Sequence, residues 1–233
     1  MTGPLASHDG ARADASTVSG AGIETCDAMD GLGAIGHPGV ELVIWRRALP
    51  GRLRTWLDHM DASRLPDLRV LVRPADLRRA VEPYLVGCGM PPGDLRDLLL
   101  GDIGELVSTF ARVARTDLVD VRLEPVDNDA CWKFHRDCVE ARLLTTYRGP
   151  ATEWVQPIHA ARALDEQRAY EGPLERLGAH DVAVFKGSCA GPGSGIVHRS
   201  PPIVGTRQTR LLLVLNKQTM TSPVCWSPTQ PRA

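Results

Sequence analysis

The sequence predicts an α+β protein in which a mainly helical first half is followed by an antiparallel β sandwich or barrel. Three observations carry that prediction. Leucines and other apolar residues recur at three-to-four spacing from Asp94 to Val113, the mark of a helix with one buried stripe. After Asp117 this periodicity stops, and short β-type runs broken by Gly, Pro and Asn take over. With 233 residues the chain can bury one sizeable core.

Taken in order, residues 1–38 are rich in Gly, Ala, Ser and Asp and hold few large apolar side chains, so a mobile tail is expected there. Residues 39–120 read as a mainly helical support region. It opens with the β-branched run Val40–Trp45. Gly51–Met60 then places Leu53, Trp56, Leu57 and Met60 on one helical face. Pro74 can occupy the first turn of a further helix, and from Asp94 the residues Leu95, Leu98, Leu99, Leu106, Val107, Phe110 and Val113 form the longest stripe. Residues 121–220 contain the runs VDVRLEPV, CWKFHRD, ARLLTTY, EWV, DVAVF, GIVHR and RLLLVLN, interrupted by a polar helical or loop insertion over residues 160–178. Pro223, Pro228 and Pro231 mark residues 221–233 as a C-terminal tail.

Composition narrows the function. Lys+Arg 27 against Asp+Glu 28 leaves a net charge of −1, so nucleic acid is not an expected partner. The longest apolar runs fall far short of the ~18–20 residues that span a bilayer, and Met1–Gly22 has neither a basic nor a continuous apolar segment. A soluble cytoplasmic protein with a small-molecule partner is expected. The six cysteines form no C-x-x-C pair and read as reduced thiols.

The segment CWKFHRD carries the chemistry. In an extended strand residues two apart share a face, so His135 and Asp137 project together. His198, in GIVHRSPP beyond the Gly-rich stretch 187–195, supplies a second imidazole. Two imidazoles and one carboxylate can occupy one face of an octahedral ion and leave the remaining positions open, as at non-heme Fe(II), although other divalent ions accept the same ligands. His159 is the alternative third ligand. Cys131 and Cys138 lack the spacing of a zinc site.

The order of these motifs resembles that of Fe(II)/2-oxoglutarate oxygenases of the prolyl-hydroxylase type, over about residues 121 to 217. The H-x-D strand leads to an R-x-x-T strand (Arg142–Thr145) and a Gly-x-x-T turn (Gly149–Thr152). A strand over Ala179–Phe185 follows, then the distal His198 with a Pro close behind and basic residues about ten positions on. The phrases KFHRD, TYRGPATEW and VHRSPP also resemble an uncharacterised bacterial domain-of-unknown-function family. The resemblance implies a double-stranded β-helix, a jelly-roll or cupin-like barrel with an N-terminal helical buttress. In it His135, Asp137 and His198 hold Fe(II), and 2-oxoglutarate and dioxygen are cosubstrates.

It also implies an arginine for the distal carboxylate of the cosubstrate. Arg207 and Arg210 are candidates on opposite faces of one expected strand, with Arg210 favoured inward and Arg142 a third choice. Tyr147 can donate a hydrogen bond to the cosubstrate. Trp132, Arg148, Glu153, Trp154 and Arg199 are candidate substrate contacts, against the plainer readings of core aromatics and solvated charges. The activity implied is oxidation of an unactivated C–H bond, by hydroxylation, desaturation or ring closure, of a small molecule such as an amino-acid derivative in secondary metabolism. Two other functions compete: a cupin-like metal-binding or sensing protein, which needs no buried arginine, and a zinc hydrolase, for which only Glu140 and Glu153 offer a general base.

Overall fold

The computed structural model describes residues 17–18 and 22–228. Among the described residues there are eleven strands and four α-helices. In chain order these are β1 (Thr17–Val18), β2 (Ile23–Cys26), β3 (Leu42–Trp45), α1 (Gly51–His59), β4 (Leu68–Val72), α2 (Leu77–Gly87), α3 (Asp94–Val113) and β5 (Val119–Val126). The second half adds β6 (Ala141–Arg148), β7 (Glu153–Trp154), α4 (Ala160–Glu166), β8 (Glu175–Arg176), β9 (Val182–Lys186), β10 (His198–Arg199) and β11 (Arg210–Lys217).

Eight strands form one large sheet in the order β1-β2-β3-β9-β6-β11-β5-β4, antiparallel except for the β2–β3 pair. The other three form a small antiparallel sheet, β10-β7-β8. The alternation of apolar residues explains the layering. On one face of the large sheet Val43, Leu143, Tyr147, Leu211, Leu213 and Leu215 pack against the α1–α3 stripe residues Leu53, Leu57, Leu85, Leu106 and Phe110. The opposite side chains of the same strands, Leu42, Ile44, Leu144, Phe185, Leu212 and Val214, meet Trp154, Leu177 and Ile196 from the small-sheet side. The outer face of the small sheet is covered in turn by α4, through Val155, Ala160, Ala163, Val197 and Phe134.

The structure is therefore mixed α and β with a large, mostly antiparallel sheet. Pro74 opens a 3-10 turn that runs directly into α2, and α3 spans the expected stripe. Three expectations need correction. The N-terminal tail does not extend to residue 38: Ile23–Cys26 pairs in parallel with β3, and the 3-10 helix Met29–Gly36 buries Leu32 and Ile35 against the helical side of the sheet. The β core is not confined to residues 121–220, because β2, β3 and β4 are strands of the same large sheet. The C-terminal segment is tied down at least to Trp226, whose N–H donates to Leu71 O beside a Leu71–Cys225 bridge at the sheet edge. The expected tail residues 1–16, 19–21 and 229–233 lie outside the described residues. Among the described residues no helix is long and apolar enough to cross a membrane.

Candidate metal centre

His135, Asp137 and His198 converge in the space between the two sheets, each offering a ligand atom within 4.8 Å of the others. His135 does not lie in a regular strand. It makes one isolated bridge to His198 on β10, with reciprocal backbone bonds of 3.0 and 3.1 Å, and the two imidazole centroids stand 4.6 Å apart. Asp137 is placed by the turn that follows β9: its carbonyl accepts from Ser188 N at 2.8 Å. Gly187 allows that approach, because a Cβ there would sit 2.3 Å from Val139 O and 2.5 Å from Asp137 O.

The second contacts of each imidazole fix its orientation. His135 Nδ1 is 2.8 Å from Lys133 O and His198 Nδ1 is 3.0 Å from Ile196 O, so both rings carry their proton on Nδ1 and turn Nε2 toward Asp137. The Nε2 atoms lie 3.6 Å (His135) and 3.3 Å (His198) from the carboxylate oxygens. One ion with bonds of about 2.1 Å spans such separations. Arg142 Nη1 binds Asp137 Oδ1 at 2.6 Å, and Arg142 Nε binds Asn216 Oδ1 at 2.9 Å. That leaves Oδ2 buried without a hydrogen-bond partner, a lone pair that an ion would satisfy. Burial alone would raise the Asp137 carboxyl, but the facing imidazoles and the Arg142 guanidinium outweigh it and hold the group well below the usual carboxylate range. The facing Asp137 carboxylate raises His135 from its ordinary value, against the opposing effect of burial. The donor set thus fits a divalent cation that takes imidazole and carboxylate.

Next to this cluster lies a buried cation of a different kind. Arg210 opens β11 and is 0% exposed, yet it contacts no carboxylate among the described residues. Its Nε donates to Pro150 O (2.8 Å), Nη1 to Ser200 Oγ (2.8 Å) and Nη2 to Thr152 Oγ1 (3.3 Å). Burial lowers its pKa to about 10. Gly149 makes the fit possible: its φ is +80°, and a Cβ would lie 2.9 Å from Thr209 O and 3.1 Å from Arg210 Cα. The register of the small sheet relates the two sites. His198 pairs with Trp154 and Arg199 with Glu153, and Ser200 and Thr152 follow next, two residues along each chain from the His198–Trp154 pair. Two residues of extended chain cover about 7 Å, which separates His198 from the residues that hold the guanidinium. In the same interior, Thr146 Oγ1 and Trp154 Nε1 are buried polar atoms without partners. The Phe185 ring lies 4.7 Å from that of His198.

Several candidates fall elsewhere, for identifiable reasons. Arg207 is not on a strand with Arg210; it sits exposed in a turn at φ +60°, before β11 begins. Tyr147 is fully buried on the helical side of β6, where its hydroxyl donates to Asp102, itself paired with Arg47. Arg142 binds the Asp137 carboxylate and is not free for a cosubstrate. Arg148 Nη1 reaches Met60 O at the end of α1. Glu153 and Arg199 pair with each other, with Arg176 as a second cation on Glu153. They alternate with Trp154 and His198 along their strands and therefore face outward. Trp132 is half-buried, with Arg168 stacked 4.1 Å from its ring centroid. His159 is absent from the ligand cluster. Trp154 alone of the proposed substrate contacts points inward. Sequence reasoning missed Asn216, Ser200 and Thr152 as supports. Ser200 stands two residues after His198 in an extended run, a parity signal that could have found it.

Fold and site together define a two-sheet protein with a metal-competent His-Asp-His cluster. The chain belongs to the family described as protein of unknown function (DUF1826), whose model matches residues 26–216. Among curated proteins none matches. Solved structures similar to it include a prolyl-4-hydroxylase from Pseudomonas putida (13% identity, TM-score 0.40, covering 81% of this chain and 95% of that one). Others are a full-length Neurospora crassa protein in complex with alpha-KG (11%, 0.36, 81% and 78%) and SnoK, an alpha-ketoglutarate-dependent carbocyclase from nogalamycin biosynthesis (12%, 0.33, 76% and 79%). At these identities and scores the likeness says nothing of what this chain binds.

Proposed function

We propose that this chain is a non-heme Fe(II)/2-oxoglutarate-dependent oxygenase that oxidises an unactivated C–H bond of a small molecule, with the two sheets acting as a double-stranded β-helix. The observation that carries the reading is Arg210: a fully buried guanidinium without a carboxylate, held by Ser200, two residues along the chain from the metal-competent His198. A bare buried cation is costly, and an anionic ligand would offset that cost. The two-residue spacing suits a five-carbon dicarboxylate with its 2-oxo acid end at the metal and its distal carboxylate at Arg210.

On this reading His135 and His198 present Nε2, Asp137 presents Oδ2, and Arg142 holds Oδ1 so that the carboxylate cannot rotate. Thr146 Oγ1 and the Trp154 indole N–H offer donors to the bound molecules, and Phe185 shields the His198 side from water. Fe(II) with the 2-oxo acid, when bound, supplies the activation of dioxygen. A protein that only stores or senses metal has no use for Arg210. A zinc hydrolase lacks its base: Glu140 is exposed and paired with Lys217, and Glu153 is committed to Arg176 and Arg199.

The test is an anaerobic titration with Fe(II) and then 2-oxoglutarate, followed by oxygen and a succinate assay over amino acids and their derivatives. Stoichiometric iron, a visible charge-transfer band on adding 2-oxoglutarate, and succinate formation are expected. Iron binding with no 2-oxoglutarate-dependent band would favour the metal-binding protein instead.

A further inference from the structure

None of the six cysteines is in a disulfide, and their exposures differ: Cys26 is buried, Cys88 and Cys225 are intermediate, and Cys131, Cys138 and Cys189 are exposed. Cys138 and Cys189 are 51 residues apart in sequence, yet their sulfurs lie 3.4 Å apart. This proximity is built by the backbone. Gly187 N donates to Glu140 O (3.1 Å), Ser188 N to Asp137 O (2.8 Å) and Cys189 N to Val139 O (3.1 Å), so residues 137–140 and 187–189 are laced together. The glycine at 187, where no Cβ fits, lets the two stretches touch.

From this geometry we infer that Cys138 and Cys189 are a redox-active thiol pair that closes to an intramolecular disulfide on exposure to a hydroperoxide. A disulfide needs sulfurs about 2.05 Å apart, so closure asks for a movement of roughly 1.4 Å, within reach of two exposed side chains turning about χ1. The chemistry balances. One thiolate attacks a peroxide oxygen, breaking the O–O bond to give a sulfenic acid and water. The second thiolate then attacks that sulfur, forming the S–S bond and releasing the sulfenic oxygen as a second water. Two thiols lose two electrons, and one hydrogen peroxide becomes two waters. Cys138 follows Asp137 directly, so the bond pins the carboxylate-bearing chain to the 187–190 turn. The inference stands on the thiols alone and holds whether or not the metal reading does.

The test uses the full chain, freed of metal by a chelator, treated with a few equivalents of hydrogen peroxide, alkylated and digested with trypsin. Cleavage after Arg136, Arg142, Lys186 and Arg199 isolates each cysteine in its own peptide, Asp137–Arg142 and Gly187–Arg199. The expected product is these two peptides joined, 2 Da lighter than their sum and separated by dithiothreitol, at a dose that leaves Cys131 alkylatable. The oxidised protein should also melt several degrees higher than the reduced one, and both signals should vanish in Cys189→Ser. Both thiols recovered as separately alkylated cysteines at a dose that oxidises Cys131, or a linkage through Cys131, would overturn the inference.

Discussion

Arg142 shows how much of the site depends on a residue that would not touch the ion. Its guanidinium holds Asp137 Oδ1 and is itself held by Asn216. Removing a partner of a ligand typically costs ten- to a hundredfold in metal affinity. Arg142→Ala should therefore weaken Fe(II) binding by about tenfold or more without changing the far-UV spectrum, and Asn216→Ala should cost less; competition with a chromophoric chelator reads both. His198→Ala should abolish stoichiometric binding. If it binds as tightly as the parent, the His-Asp-His assignment fails. At this scale the H-x-D spacing made the cluster legible, although His135 makes only one isolated bridge to His198 and Asp137 lies outside any strand. Parity explains a miss: Tyr147 is an odd number of residues from Arg142 on the same strand and so faces the helices. The Arg207 reading failed because a left-handed turn residue, which sequence spacing does not show, ends the extended run before β11.

Between elements, the buried contact of Tyr147, Asp102 and Arg47 fastens α3 to β6 and to the chain after β3. Arg47 Nε also donates to His180 O, 2.9 Å away, tying in the approach to β9. Tyr147→Phe deletes one hydroxyl and leaves the ion pair intact, so about 1 kcal/mol of stability should be lost. Asp102→Ala strands a largely buried guanidinium and a buried phenol, and about 3 kcal/mol or more should go. Urea denaturation separates the two, and neither variant should alter metal affinity, because the contact lies on the far face of the sheet. Elements with long periodic stripes, such as α3, were readable because burial of one face repeats over several turns. The strand Ile23–Cys26 was not: four residues amid Gly, Ala and Asp carry too little pattern, and only pairing with β3 makes them a strand.

For the whole molecule, residues 22–36 contribute to the structure. Ile23 lies in the inter-sheet core, and Leu32 and Ile35 lie in the helical-side core. Burying each contributes ~1.5–3 kcal/mol, so deleting residues 1–36 should cost roughly 4.5–9 kcal/mol, comparable with the entire stability of many domains. The truncated chain should lose its cooperative melt, not merely a tail. The two-sheet arrangement also makes the central claim testable, because it leaves one guanidinium inside and another out. The most direct measurement is calorimetric titration of 2-oxoglutarate, without oxygen, into the iron-loaded wild type, Arg210→Ala and Arg207→Ala. The account predicts that Arg210→Ala weakens binding by about a hundredfold, a loss near 2.8 kcal/mol, and that Arg207→Ala changes it by no more than about threefold. Equal affinity in wild type and Arg210→Ala, with the iron still bound, would contradict it.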